Sequence, residues 1–282
     1  MLQCLPSLSR RPARNLILAL GVLTLGAGAA ATTGWTAAAA AAAGAQAKGL
    51  AIAKEADRRD TGWGDWRAEV EMVLSNAQGQ KSQRKMKMRS LEFPADGDKT
   101  IIVFDWPKDI DGTALLTLTH KTGDDDQWLF LPALKRVKRI SSSNKSGSFV
   151  GSEFSYEDLA SQEIEKYKYK YLQDEKCGAL TCFVTERIPV DENSGYTRQV
   201  VWTDKTEYRV HKIVFYDRKS SKLKTLVFSG YRQYLGKFWR AGKLTMVNHQ
   251  SGKGTVLAWK NYKFRTGLKD RDFNRNSLKR AR

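Results

Sequence analysis

Three histidines, His120, His211 and His249, could bind zinc or move a proton near neutral pH. They lie far apart in the chain. None has a partner at a metal-ligand spacing such as H-x-x-x-H, so no metal site is expected. The sequence also lacks a G-x-S-x-G elbow, a P-loop and a dinucleotide fingerprint. Ser141-Ser142-Ser143 reads as a loop rather than a nucleophile. Acids gather in two places. Asp124-Asp125-Asp126 could hold calcium but lacks the spaced D-x-D-x-D-G pattern, and a solvated turn accounts for it better. Glu153, Glu157 and Asp158 could do acid–base work. They could equally cap and start a helix or pair with a neighbouring basic strand, and these structural roles are the expectation. No catalytic residue and no cofactor is expected.

The cations are more conspicuous. Lys135, Arg136, Lys138 and Arg139, with Lys145 further on, stand near Trp128, Phe130 and Phe149. Basic residues among aromatics are what a nucleic-acid surface needs. The run from Lys166 to Tyr171 alternates Lys and Tyr. Strict alternation on a strand puts Tyr167, Tyr169 and Tyr171 on one face and the lysines on the other. Base stacking and phosphate pairing would need both on one surface, so the tyrosine face reads as sheet core or cavity lining. Cys177 and Cys182 flank Gly178-Ala179-Leu180-Thr181, which suits a hairpin turn. In an exported chain such a pair reads as a disulfide.

Export is expected from the first 47 residues. Arg10, Arg11 and Arg14 precede an uncharged, Leu- and Ala-rich run from Leu16 to Ala31. Small residues follow, ending in Ala45-Gln46-Ala47. This is the layout of a signal peptide with an A-x-A cleavage site after Ala47 or, by the same pattern, after Ala31. An uncleaved membrane anchor is the alternative, although the apolar run falls short of the roughly 20 residues a span needs. Of 282 residues, 235 follow Ala47, and the net charge of +18 falls only to +15 without the three leader arginines. The basic excess therefore belongs to the folded part. In an exported chain it points to anionic membrane surfaces before nucleic acid, which is not expected as a partner.

Period-two patterning dominates the remainder. Trp66, Ala68, Val70, Met72 and Leu74 alternate with Arg67, Glu69, Glu71 and Ser75. Met86 and Met88 alternate with Lys85, Lys87 and Arg89. Further strands are predicted at 101–106, 114–118, 128–131, 136–140, 167–172, 183–188, 199–203, 210–216, 225–231, 244–248 and 256–264. Each is bounded by Gly, Pro or Asp clusters. Helices are predicted at 49–60, 156–162 and 274–279. Short connections without intervening long helices favour one large antiparallel sheet, mainly β, and so many strands must curl into a barrel or half-barrel. Residues 48–282 are expected to be a single domain.

Four segments carry a family resemblance: TGWGD at 61–65, DDDQWLFLPALKRVKRIS at 124–141, SGSFVGSEFSYED at 146–158 and GLKDRDFNRNSL at 267–278. They resemble the bacterial outer-membrane lipoprotein-sorting proteins, relatives of the LolA/LolB carriers. Val150 and Glu153 depart mildly from the usual Met and Asp. The resemblance implies a half-barrel of antiparallel strands around a hydrophobic cavity, closed by short helices. It implies a periplasmic, non-enzymatic carrier of lipid or acylated protein, acting with an exporter of the resistance-nodulation-division (MMPL-like) class. A non-carrying accessory subunit of such an exporter is the alternative. On this reading Val70, Met72, Leu74, Met86, Met88, Val103, Leu116 and the Tyr167/Tyr169/Tyr171 face are the candidate cavity lining, with ordinary core as the competing role. Lys135, Arg136, Lys138 and Arg139 are the candidate docking surface for anionic head groups or an acidic partner.

Overall fold

The computed structural model describes residues 31–280. Arg10, Arg11, Arg14 and most of the apolar run of the expected leader lie outside the described residues. Helix α1 spans Ala31–Asp60, longer than the expected 49–60. The alanine-rich run continues the helix instead of preceding it, as the residue with the strongest helix propensity would. The compact unit that carries the sheet runs from Ala41 to Arg282. Gly49 is where α1 meets that sheet: a Cβ there would lie 2.7 Å from the Tyr171 backbone nitrogen.

Fifteen strands follow. The first half is a meander of β1 (Asp65–Ser75), β2 (Lys81–Leu91), β3 (Lys99–Trp106), β4 (Ala114–Leu118), β5 (Asp126–Leu131) and β6 (Arg136–Ile140). The second half contains β7 (Tyr167–Cys177), β8 (Leu180–Pro189), β9 (Tyr196–Asp204), β10 (Val210–Asp217), β11 (Lys222–Ser229), the small pair β12 (Arg232–Tyr234) and β13 (Phe238–Arg240), β14 (Lys243–Asn248) and β15 (Gly254–Phe264). Thirteen of them form one antiparallel sheet in the order β6-β5-β4-β3-β2-β1-β15-β14-β11-β10-β9-β8-β7. The first and last strands, β1 and β15, pair in its middle. β6 and β7, consecutive in sequence, therefore stand at opposite edges. The sheet is open, and residues 141–166 must cross from one edge to the other. That crossing segment, a strap of short 3-10 turns, carries Phe149 and Phe154 into the core.

The faces of the sheet are covered differently. On the inner face, Val70, Met72, Met86, Ile102, Phe104 and Leu115 pack with Phe149 and Phe154 of the strap. On the outer face, Ile101, Val103, Ala114 and Leu116 pack under Leu268, Phe273 and Leu278 of the C-terminal segment, whose last turn is helix α2 (Arg275–Leu278). Burial on both faces explains why β3 and β4 read as continuous apolar runs rather than alternating ones. The C-terminal segment is tied down by buried Asp65, which accepts the backbone N–H groups of Thr266 and Gly267 at 2.7 and 3.1 Å. Burial pushes the Asp65 carboxyl up, but these bonds and the Thr266 hydroxyl hold it below its ordinary value.

Cys177 and Cys182 form a disulfide across the β7–β8 turn, with Cα atoms 5.9 Å apart. The strand expected at 225–231 ends instead at Ser229. Gly230 turns the chain at φ +66° against Gly242, where a Cβ would lie 2.9 Å from the Gly230 carbonyl oxygen. β12 and β13 then form a separate hairpin around Leu235-Gly236, both at positive φ.

Candidate functional site

A cavity of about 1060 Å³ lies between the inner face, the last turns of α1, the strap and the β12–β13 hairpin. Its apolar lining comes from separate elements: Met72, Met86 and Met88 of β1 and β2, Phe149 and Phe154 of the strap, Leu257 and Trp259 of β15. Strand alternation selects this set. Met72 and Met86 are two residues from Val70 and Met88, and register places Val70 opposite Met86. Methionine suits a lining that must adapt, because its unbranched thioether has many rotamers. Trp63, Tyr169 and Trp239 complete the wall.

The same cavity is bordered by carboxylates: Asp57 and Asp60 of α1, Glu92 and Asp98 of the β2–β3 loop, and Glu163 and Glu165 of the strap. Burial, with Asp98 nearby, pushes Glu163 up to about 7. Burial raises Asp98 to about 6 even though it accepts from Phe93 N and the Ser161 hydroxyl. Asp57 and Asp60 are raised by burial as well. Most of the border cations are engaged away from these carboxylates, Arg240 being the exception. Arg58 and Arg59 pair with Glu55, Lys121 donates to the Pro94 carbonyl and Lys237 to that of Thr61, and Arg240 pairs with Asp60.

A buried polar latch holds the strap in place. Lys224 of β11 and Asp158 of the strap form an ion pair at 2.6 Å, each side chain only 5% exposed. Lys224 also donates to the Glu153 carbonyl at 2.9 Å. Asp158 accepts from the Tyr196 hydroxyl at 2.8 Å and from Ser155 N at 2.7 Å. The last bond is half of a capping box, so the expected capping role is present. The expected partner strand was wrong: Asp158 pairs with β11, not β6, because the strap has left the β6 edge before the acid occurs. Glu153 accepts from Asn248 at 2.7 Å, and Glu157 from Gly195 N and the Ser194 hydroxyl. The three histidines are scattered. His120 meets Asp96, His211 meets buried Asp204, and His249 meets the Thr225 hydroxyl. No group of three His, Cys, Asp or Glu forms a metal site among the described residues.

Of the expected lining, Met72, Met86, Met88 and Tyr169 border the cavity. Val70 and Leu74 belong to the inner core without bordering it. Val103 and Leu116 must be corrected: both lie on the outer face beneath the C-terminal segment. Their neighbours Ile102 and Leu115 face inward, and a continuous apolar run gives no sign of which parity that is. The tyrosine face also divides. Tyr167 borders a smaller, polar cleft of about 560 Å³, with the Arg187 guanidinium 4.8 Å from its ring centre. Tyr171 sits under Lys48, whose ammonium is 3.3 Å from its ring centre. Of the aromatics near the basic strand, Trp128 shares its sheet face with its cross-strand partner Arg139, whereas Phe149 does not. Trp128 and Phe130 pack on the outer face and Phe149 in the inner core. Lys135, Arg136, Lys138 and Arg139 are exposed on or beside the edge strand β6, where cations also discourage pairing with other strands. Arg139 pairs with Asp126 at 2.7 Å.

The open sheet with its helix and strap is similar to the folds of several solved structures. A LolA superfamily protein from Nitrosomonas europaea superposes with a TM-score of 0.65 at 20% identity, over 80% of this chain and 97% of that one. A domain from Vibrio parahaemolyticus, described as an outer membrane lipoprotein-sorting protein, is 58% identical with a TM-score of 0.82, over 83% of this chain and 99% of that one. A DUF1329 family protein from Desulfovibrio piger is 30% identical with a TM-score of 0.79 over the same shares. A family model described only as "uncharacterized protein" matches residues 96–280. The chain belongs to this DUF1329 family of LolA-like, lipoprotein-sorting-type proteins. No curated protein matches it at a significant level.

Proposed function

We propose that this protein is a periplasmic carrier that holds the acyl chains of a lipid or lipoprotein in the inner-face cavity. The observation that carries the reading is the cavity itself, about 1060 Å³ and walled by methionines and aromatics. This is at the upper end of the range for small-molecule sites. Each methylene moved from water into such a space contributes about 0.8 kcal/mol, so roughly eight of them give about 6 kcal/mol. That is enough to hold a chain and still release it. The description of the Vibrio parahaemolyticus relative supports the sorting role. The leader pattern supports export to the periplasm. An envelope exporter of the resistance-nodulation-division class is the proposed donor or acceptor of the cargo, on the family resemblance. The reading has no chemical step. The strap acids, the natural candidates for one, spend their hydrogen bonds on Lys224, Tyr196, Asn248 and Ser194.

Mass spectrometry of solvent extracts from natively purified protein tests this. A stoichiometric acyl lipid or acylated peptide is expected. Extracts that stay lipid-free, from protein that also fails to take up a fluorescent fatty-acid probe, would refute the carrier and favour the accessory-subunit alternative.

A further inference from the structure

The strongest unexplained surface lies at the corner where β5 turns into β6 and where β3 ends. Leu134 is 62% exposed, the highest among the exposed large hydrophobics, and Trp106 is 47% exposed. Both lie at the same end of the sheet. Trp106 closes β3, and Leu134 sits in the turn between Leu131 and Arg136. The two turns touch, since a Cβ on Gly112 would lie 3.2 Å from the Pro132 ring. The tip is held in shape. Pro132–Leu134 form a 3-10 turn closed by Lys135, whose backbone is left-handed at φ 49° and whose N–H donates to the Pro132 carbonyl.

The charge around this tip is mainly positive. Lys135, Arg136 and Lys138 follow Leu134, Lys85 is the cross-strand partner of Trp106, and Lys108 is two residues beyond it. Nearby Lys87 pairs with Asp105 and Arg139 with Asp126. By contrast, these five cations have no carboxylate within ion-pair distance among the described residues. Two exposed acids, Asp109 and Asp111, offset part of the charge. An exposed Leu and Trp ringed by free cations matches the chemistry of a lipid interface. The Leu side chain gains by leaving water, Trp prefers the head-group level, and each Lys or Arg is drawn to anionic phosphates. Duplex nucleic acid would use the cations but leave the apolar tip without a partner.

We propose that this corner docks the protein on the surface of an anionic phospholipid bilayer, with Leu134 inserted and Trp106 at the head groups. The proposal is independent of what the cavity holds. It also has a geometric consequence. β3 runs from Lys99, beside the cavity-bordering loop 92–98, to Trp106, so the loops at the cavity border lie at the opposite ends of the strands from the docking corner.

Vesicle co-sedimentation of the purified protein tests it, using phosphatidylcholine alone and phosphatidylcholine mixed with phosphatidylglycerol. Wild type is expected to bind the mixed vesicles about tenfold or more better, and to be released by salt. Leu134→Glu, and separately Lys135→Glu with Arg136→Glu, are each expected to weaken that binding by about tenfold or more. Both should keep the wild-type unfolding midpoint, because the changed residues are exposed. Leu235→Glu, at the tip of the β12–β13 hairpin, is expected to bind as wild type does. Equal or absent binding to the two vesicle types overturns the proposal. So does wild-type binding by Leu134→Glu, loss of binding by Leu235→Glu, or tighter binding to duplex DNA than to the mixed vesicles.

Discussion

Replacing Asp158 by Asn would leave the Lys224 ammonium buried with the Glu153 carbonyl and one amide oxygen as acceptors. With its oxygen toward Lys224 and Ser155 N, which share Oδ2, the new amide would turn its NH₂ to the Tyr196 hydroxyl, which now donates to Oδ1. Removing one member of a buried, hydrogen-bonded pair costs about 3–5 kcal/mol, most of it the charge left without a partner. We expect about 4 kcal/mol for Asp158→Asn. Lys224→Met should cost less, about 3 kcal/mol, because Asp158 keeps two hydrogen bonds and the Met stem fills the same space. The double variant removes both charges. It should cost about 2 kcal/mol less than the sum of the singles. Urea unfolding of all four proteins at one pH measures the cycle. Because the pair fastens the strap over the inner face, each single variant should also become more susceptible to proteolysis between 141 and 166. Strict additivity, or single losses below about 1 kcal/mol, would refute the assignment of this pair as the strap's buried latch.

The two sheet faces make separable predictions. Leu116→Ala, on the outer face, should cost about 2–5 kcal/mol of stability while leaving lipid content unchanged by mass spectrometry. Met88→Trp, which fills cavity space, should instead lower fatty-acid probe uptake at little cost in stability. The carboxylates at the cavity border set a pH dependence. Glu163 is pushed up to about 7 from 4.5, so the native state holds its proton after the unfolded chain has lost it. Stability from this group is therefore greatest below the unfolded value and falls as pH rises from about 4.5 to about 7. Glu163→Gln should leave the unfolding midpoint unchanged at low pH and raise stability by about 1 kcal/mol at pH values above about 7, after allowance for solvent screening. Reducing the Cys177–Cys182 disulfide should cost about 2 kcal/mol, as its loop is short, measured by urea unfolding with and without reductant.

Local pattern carried the strands, because each buries one or two faces and its alternation or apolar run records that. The expected segments in the first half match β1 to β6 in place. The β12–β13 hairpin escaped because three-residue strands hold too few positions to show a period. α1 was read too short because alanine belongs equally to a leader and to a helix. Parity was the other failure. At Ile101-Ile102-Val103-Phe104 all four residues are buried, so nothing in the run itself says that Ile102 and Phe104 face the strap while Ile101 and Val103 face the C-terminal segment.

The cavity shows the same limit at a larger scale. Met86 and Met88 stood out because they alternate with Lys85, Lys87 and Arg89 on β2, and Met72 because it continues the alternation of Val70 with Glu69 and Glu71 on β1. Phe149 did not, because next to a basic strand it had the composition of an exposed binding surface, and Phe154 carried no signal of its own. Their burial follows from topology. Once β1 pairs with β15, β6 and β7 are driven to opposite edges, and the only chain joining them is the strap. It has to cross the inner face, and aromatic residues near its middle are what can close that face. The basic strand is left behind at the edge for the same reason. One strand pairing in the centre of the sheet thus separates the apolar cavity from the cationic corner, although the strap aromatics of the one follow closely on the basic strand of the other in the chain.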